Sequence, residues 1–273
     1  MLSKYQPQLS CWRQDLHKGV YTTKSHLRNN KKLRYANDDY CEFSRNPVDL
    51  KFFIRWFIVI SLFILSSLCI SLIWLILYVR FTSSLSIELT IGLLMFVMCC
   101  GYLVTILFLY ILLAPQDCPI RLNRKTGKVY IYEHFILYLG SWKMLTSSPF
   151  KAKNIMVKEF NWSDIHGVMC SFSAPMVNGG MIRNYRIECV VCEPNTTYVI
   201  DHFLLAADNS LSYDEWMWIN SYMAFSDNNL DADFMPEEEF SWPIKVNWPE
   251  EIDKKSKASS LEDYNRINGE YKN

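Results

Sequence analysis

Residues 56–79, WFIVISLFILSSLCISLIWLILYV, are 24 residues without one charge, and residues 89–116, LTIGLLMFVMCCGYLVTILFLYILLAPQ, are 28 more. A helix needs ~20 residues to cross a hydrocarbon core about 30 Å thick. Both runs exceed that length, and within them no proline occurs before Pro115. Every backbone amide can therefore bond inside its own helix, as a medium without water demands. The sequence predicts a transmembrane hairpin over residues 52–116, with helices at about 52–79 and 89–114 and a tight turn at residues 80–87 that returns both chain ends to one side.

Working outward, the flanking charges set the side. Arg45, Lys51 and Arg55 precede the first run and Arg121, Arg124, Lys125 and Lys128 follow the second, while the turn offers only Arg80. Lys and Arg near helix ends favour the cytoplasm, so both termini are expected there, with the chain in a bacterial inner membrane and the lipid bilayer as its first partner. The 28 basic and 28 acidic residues cancel overall but not locally: the net charge is +6 over residues 1–55, zero over 56–116 and −6 over 117–273. A 50 % hydrophobic content excludes intrinsic disorder, and its uneven placement excludes a single soluble globule. The apolar run starts too late and runs too long for a cleaved signal peptide.

Residues 1–51 read as a polar cytoplasmic arm with no sustained period. Its basic residues, Lys24, Arg28, Lys31, Lys32 and Arg34, either lie on anionic headgroups or are simply solvated. Interruption by Asp38, Asp39 and Glu42 argues against nucleic acid. Beyond the hairpin, residues 117–225 change to short alternating stretches. Ile120 to Asn123 and Val129 to Tyr132 flank a glycine turn at Gly127, and further strands are expected at residues 135–138, 155–160, 165–172, 182–192 and 197–201. These imply a small curled antiparallel sheet or barrel. Ser212 and Glu215 form a capping box, after which Trp218, Ile219, Tyr222 and Met223 make the core stripe of a closing helix. The fold class is thus an α+β membrane protein. Residues 226–273 form a tail rich in acids, Trp and Pro; Trp242, Trp248, Glu237, Glu238 and Glu239 either pack on the sheet or dock a partner, and the last twenty residues are expected to be solvated.

Chemistry is sparse. Nine cysteines are scattered, and in a reducing compartment they are expected as thiols. Cys189 and Cys192 sit three apart on an expected strand, which sends their sulfurs to opposite faces, and no second pair completes a zinc set. The phosphate-loop, dinucleotide, nucleophile-elbow and zinc-protease patterns are absent from the sequence, so no catalysis, cofactor or metal is expected. The spans carry no ionisable residue at their centres, which argues against transport. Gly101 with Cys100 and Ser67 with Ser71 are small enough for close helix approach, within the hairpin or in a homo-oligomer. The glycosylation triplets at Asn161 and Asn195 are expected to stay bare on a cytoplasmic domain.

The two spans, then CPIRLNRKTGKVY at residues 118–130 and NWSDI at 161–165, resemble bacterial membrane proteins with a pleckstrin-homology-like cytoplasmic domain. The segment WMWINSYM at 216–223, with Pro236 downstream, is similar to uncharacterised proteobacterial proteins found beside type VI secretion effectors. The resemblance covers roughly residues 50–245 and departs in the first fifty residues, at Ser221 and at residues 224–226. It implies an immunity or self-recognition protein that binds a delivered effector and neutralises it. The alternatives are an accessory scaffold of the secretion machinery or a lipid-binding module, for which Arg121, Arg124, Lys125 and Lys128 are the membrane-proximal basic candidates.

Overall fold

The computed structural model describes residues 2–21, 33–45, 52–82, 86–113, 115, 117–134, 155–175, 180–208, 214–226 and 246–271. The expected strand at residues 135–138 and the capping box at Ser212 lie outside them. The chain is α+β: the described residues hold two long apolar helices, antiparallel sheets and three short α-helices.

The apolar runs form α1 (Phe52–Thr82) and α2 (Ile87–Leu113), which pack against each other as a hairpin. Both are long and apolar enough to cross a membrane. Their large side chains point outward: Phe63, Trp74 and Met95 are each 68 % exposed. The hydroxyls inside the runs bond back to their own helix, Ser66 to the Phe63 carbonyl at 2.7 Å, Ser71 to Ser67 at 2.9 Å and Thr105 to Gly101 at 2.8 Å.

The rest of the described chain builds two antiparallel sheets. The first contains β2 (Leu33–Ala36), β3 (Tyr40–Phe43), β4 (Ile120–Asn123), β5 (Lys128–Glu133) and β6 (Met156–Asn161), in that order. The second runs β1 (Trp12–Asp15), β7 (Ile165–Pro175), β8 (Met181–Cys192) and β9 (Val199–Asp208). The β4–β5 register, Ile120 to Ile131 and Asn123 to Lys128, is set by the turn between them. There Gly127 takes φ +64°, and the Asn123 side-chain oxygen accepts from the Thr126 amide at 2.9 Å. Among the described residues no closed barrel forms. The Lys158 ammonium on β6 meets Asp201 on β9 at 2.6 Å, so side chains rather than a strand ladder join the sheets at that corner.

Alternation carries the core. Ile120, Leu122, Val129 and Ile131 from the first sheet meet Ile165, Met169, Ile187, Cys189, Val191 and Phe203 from the second. Helix α3 (Asp214–Met223) joins them with Trp216, Trp218, Ile219, Tyr222 and Met223. Trp216 lies directly over Gly167, where a Cβ would come within 2.7 Å of its ring, so only glycine permits this approach. The opposite face of the second sheet, with Val168, Cys170, Val190, Cys192 and Val199, is covered by Tyr5, Leu9, Cys11 and Trp12.

Two expectations are corrected. Residues 1–51 are not an arm apart from the body, because they supply three strands. β3 pairs with β4, Tyr40 opposite Asn123, and β1 pairs with β7, Trp12 opposite Cys170. Nor are the last twenty residues a solvated end. Helix α4 (Glu250–Ser256) covers the outer face of β4 and β5, α5 (Leu261–Glu270) packs on α4 and reaches β5 and β6 through Tyr264, and Lys255, Ser256, Ala258, Tyr264 and Ile267 are buried. Ser260 caps α5, accepting from the Asp263 amide at 3.1 Å.

Candidate functional site

The junction between hairpin and body is organised by Arg45, whose side chain is fully buried. Its Nε donates to the Cys118 carbonyl at 2.8 Å, Nη2 to Tyr132 at 2.7 Å and Nη1 to Leu204 at 3.1 Å, with Glu133 at 3.7 Å. The planar fork suits such a hub, since it directs several donors at fixed angles. Its own amide donates to Asp117 Oδ1 at 3.3 Å. One residue thus joins the chain entering α1, the chain leaving α2 and strands of both sheets. Arg45 is therefore a structural charge in the fold, not one facing headgroups.

A second buried group sits between the first sheet and α4. Arg121 donates through Nε and Nη2 to Glu42 Oε2 at 3.0 and 2.7 Å, and through Nη1 to Asp253 at 2.8 Å and Ser256 Oγ at 2.6 Å. Glu42 also accepts from Trp248 Nε1 at 3.2 Å and faces Arg34 at 3.2 Å. Asn123 donates to the carbonyls of Ser256 and Ala258 at 3.0 and 2.8 Å. Removing charges from water is compensated only when both partners are satisfied, and here each carboxylate meets a guanidinium. A Glu42 held this way is a weld, not a free base.

The four basic candidates consequently do not form one lipid-facing patch. Arg121 is 5 % exposed and committed to Glu42 and Asp253. Arg124 pairs with Asp38 at 2.8 Å and stacks over Tyr222 and Phe225. Lys128 donates to Asn161 at 2.8 Å and lies over Tyr264. Only Lys125 is exposed, next to the Phe225 ring. The docking candidates divide likewise: Trp242, Glu237, Glu238 and Glu239 lie outside the described residues, while Trp248 is half-buried against Tyr132 with Arg121 over its ring. Trp248 therefore packs on the sheet. Trp218, Ile219, Tyr222 and Met223 all lie in the main core.

The strand places Cys189 in that core and Cys192 in the cluster on the opposite face, as their odd spacing requires. A group the sequence did not reveal is Cys11, Cys170 and Glu188, whose ligand atoms lie within 4.8 Å of one another. Arg186 occupies the same space, donating to Cys11 Sγ at 3.3 Å and pairing with Glu188 at 2.6 Å. Only the β1–β7–β8 pairing brings these residues together, so no local motif announces them.

The profile of DUF6708, described as a family of unknown function, matches residues 96–242, more than half of the 273-residue chain. The chain belongs to the DUF6708 family. No curated protein and no solved structure matches it at a significant level. The DUF6708 match takes in most of α2, strands β4 to β9 and α3. It leaves β1–β3, α1 and the C-terminal helices outside, although β1–β3 complete both sheets.

Proposed function

We propose that this DUF6708 protein is a membrane-anchored, non-catalytic recognition protein. Its hairpin spans a bacterial inner membrane, its termini and two-sheet body face the cytoplasm, and the body binds and neutralises a delivered type VI secretion effector. The observation that carries the anchoring is the outer surface of α1 and α2. Large apolar side chains face outward along both helices while hydroxyls bond back to their own backbone, an arrangement suited to hydrocarbon and costly in water. The orientation is supported by Lys51, Arg55, Arg124, Lys125 and Lys128 flanking the hairpin against Arg80 in the turn. Two antiparallel sheets sharing a core with α3 support the pleckstrin-homology-like reading. The buried ion pairs on the outer face of the first sheet favour binding over catalysis, because their charged groups are already committed to one another. The outer end of β7 and β8, where Phe172, Met181 and Ile182 are exposed, offers an apolar surface of the kind partners cover.

Two measurements test this. After alkaline carbonate washing the chain should stay with membranes, and external protease on spheroplasts should leave the body intact. Recovery in the soluble fraction, or cleavage of the body from outside, would refute the anchoring. Deleting the gene should make the strain sensitive to sister cells that deliver the neighbouring effector, with sensitivity lost when the effector's toxic domain is also deleted. Unchanged survival would refute the immunity role. A fall in secretion of the tube protein on deletion would point instead to a scaffold.

A further inference from the structure

We propose that Cys11 and Cys170 form a reversible dithiol–disulfide pair in which Cys11 reacts with a hydroperoxide and Cys170 resolves the product. The inference stands on the geometry of the body and is independent of the membrane reading.

The two thiols differ in the way such a pair requires. Cys11 is partly exposed, just ahead of β1, and Cys170 is fully buried on β7. Their strands are already paired: the Ser171 amide donates to the Cys11 carbonyl at 2.8 Å, and Trp12 stands opposite Cys170. The sulfurs, within 4.8 Å of each other, need a side-chain rotation and a small shift to reach the ~2 Å of an S–S bond. Arg186 prepares the outer one. Its guanidinium, stacked on Phe172 and paired with Glu188, donates to Cys11 Sγ. A hydrogen bond from Cys170, and behind it the Arg186 charge, hold the Cys11 thiol down to about 6, whereas Cys170 is pushed up by that same bond and by burial. Burial likewise raises Cys41, Cys118, Cys189 and Cys192, so Cys11 is the body thiol most readily ionised.

The chemistry balances without other groups. The Cys11 thiolate attacks the terminal oxygen of the hydroperoxide; the O–O bond breaks, sulfur is oxidised to a sulfenic acid, and the leaving oxygen departs, once protonated, as water or an alcohol. Cys170 sulfur then attacks Cys11 sulfur, the S–O bond breaks, and the thiol proton leaves with that oxygen as water. Two equivalents of a small thiol, or one dithiol, reverse the step by exchange through a mixed disulfide and leave as their own disulfide, with their protons passing to the two cysteines. The disulfide would bolt the segment carrying Tyr5, Leu9 and Trp12 onto the outer face of the second sheet, which it covers through non-covalent contacts in the reduced form. The same three atoms could be read as a metal site, but the guanidinium already holds the thiolate and carboxylate that a cation would need.

The test uses the purified full-length chain in detergent. Hydrogen peroxide, followed by alkylation and peptide mapping, should yield a cross-link between residues 11 and 170 that dithiothreitol removes. In Cys170→Ser the cross-link should vanish and dimedone should trap a sulfenic acid at Cys11. In Arg186→Met, Cys11 should alkylate about tenfold more slowly at neutral pH. The wild-type map decides without either variant. Both thiols still fully alkylated after peroxide would overturn the proposal, as would a stoichiometric zinc ion retained by the wild type and lost in Cys11→Ser.

Discussion

Trp74 and Trp216 carry the same ring in opposite settings. Trp74, on the hairpin, is 68 % exposed, while Trp216, in the body, is 0 % exposed and lies on Gly167. The contrast extends to whole regions. In the hairpin apolar groups face outward and polar groups turn back to their own helix; in the body apolar groups face inward, and even Arg45 and Arg121 are enclosed with their partners. Adjoining regions of one chain thus arrange their surfaces in opposite ways, and membrane anchoring as proposed above accounts for that difference. The sharpest way to probe the difference is to make matched changes on both sides of it.

The largest effect should follow from emptying the core. Trp216→Ala removes the ring from Gly167 and from Trp162 at 5.5 Å, and we expect it to cost the body about 4 kcal/mol in a urea titration followed by near-ultraviolet circular dichroism. Trp74→Ala should leave that titration unchanged. Equal losses would mean that the hairpin and the body are one cooperative unit and would break the comparison.

Next comes charge. Ile70 lies midway along α1 and is 69 % exposed. Ile70→Arg should cost about 3 kcal/mol of insertion if its neighbours are acyl chains, read as a drop in the carbonate-resistant membrane fraction. The matched change Tyr35→Arg on the exposed side of β2 should have no effect on that fraction. An Ile70→Arg variant that partitions like the wild type would place the hairpin surface in water.

How much of this was legible follows the range of the interactions. The hairpin could be read because its signal is local: two uncharged runs of sufficient length. Strands β4 and β5 could be read because alternation and Gly127 lie within fourteen residues of one another, Ile120 to Glu133. Strands β1 to β3 were illegible. Each is four residues long, and β3 and β1 find their ladders on β4 and β7, across the hairpin, so no local period marks them. Alternation correctly turned Arg121 and Asn123 away from the core but could not say that α4 would cover them, because a helix as charged as EEIDKKS looks solvated. The pairing of Cys11 with Cys170 was hidden for the same long-range reason.

A smaller effect asks whether the C-terminal helices belong to the body. Tyr264 donates to Glu159 at 2.7 Å from α5 to β6. Tyr264→Phe removes that bond and little volume, so about 1 kcal/mol should be lost, with faster proteolytic release of residues 246–271. If the urea midpoint and the release rate both hold, the Tyr264–Glu159 bond contributes nothing to holding α5 on the body.

The last comparison is a pH dependence confined to the body, since the hairpin contains no histidine. His166 stacks on Tyr5 with centroids 4.7 Å apart, and its Nδ1 is buried without a hydrogen-bond partner among the described residues. Burial, followed by the positive charges of Lys18 and Lys4, holds its pKa down to about 4, against weaker opposing contributions from Asp164 and Asp15. Between the ordinary value near 6.5 and that folded value, the unfolded chain binds the proton and the folded chain does not, so stability rises with pH across the interval. The contribution is complete above about pH 6.5 and is lost as the pH falls toward 4. His166→Phe keeps a ring against Tyr5 and abolishes the titration. Its unfolding midpoint should therefore fall less than that of the wild type between those two pH values, and the two slopes should be parallel above them. Because the change involves no residue of α1 or α2, the carbonate-resistant fraction should not move with it; if it did, protonation in the body would be coupled to the seating of the hairpin.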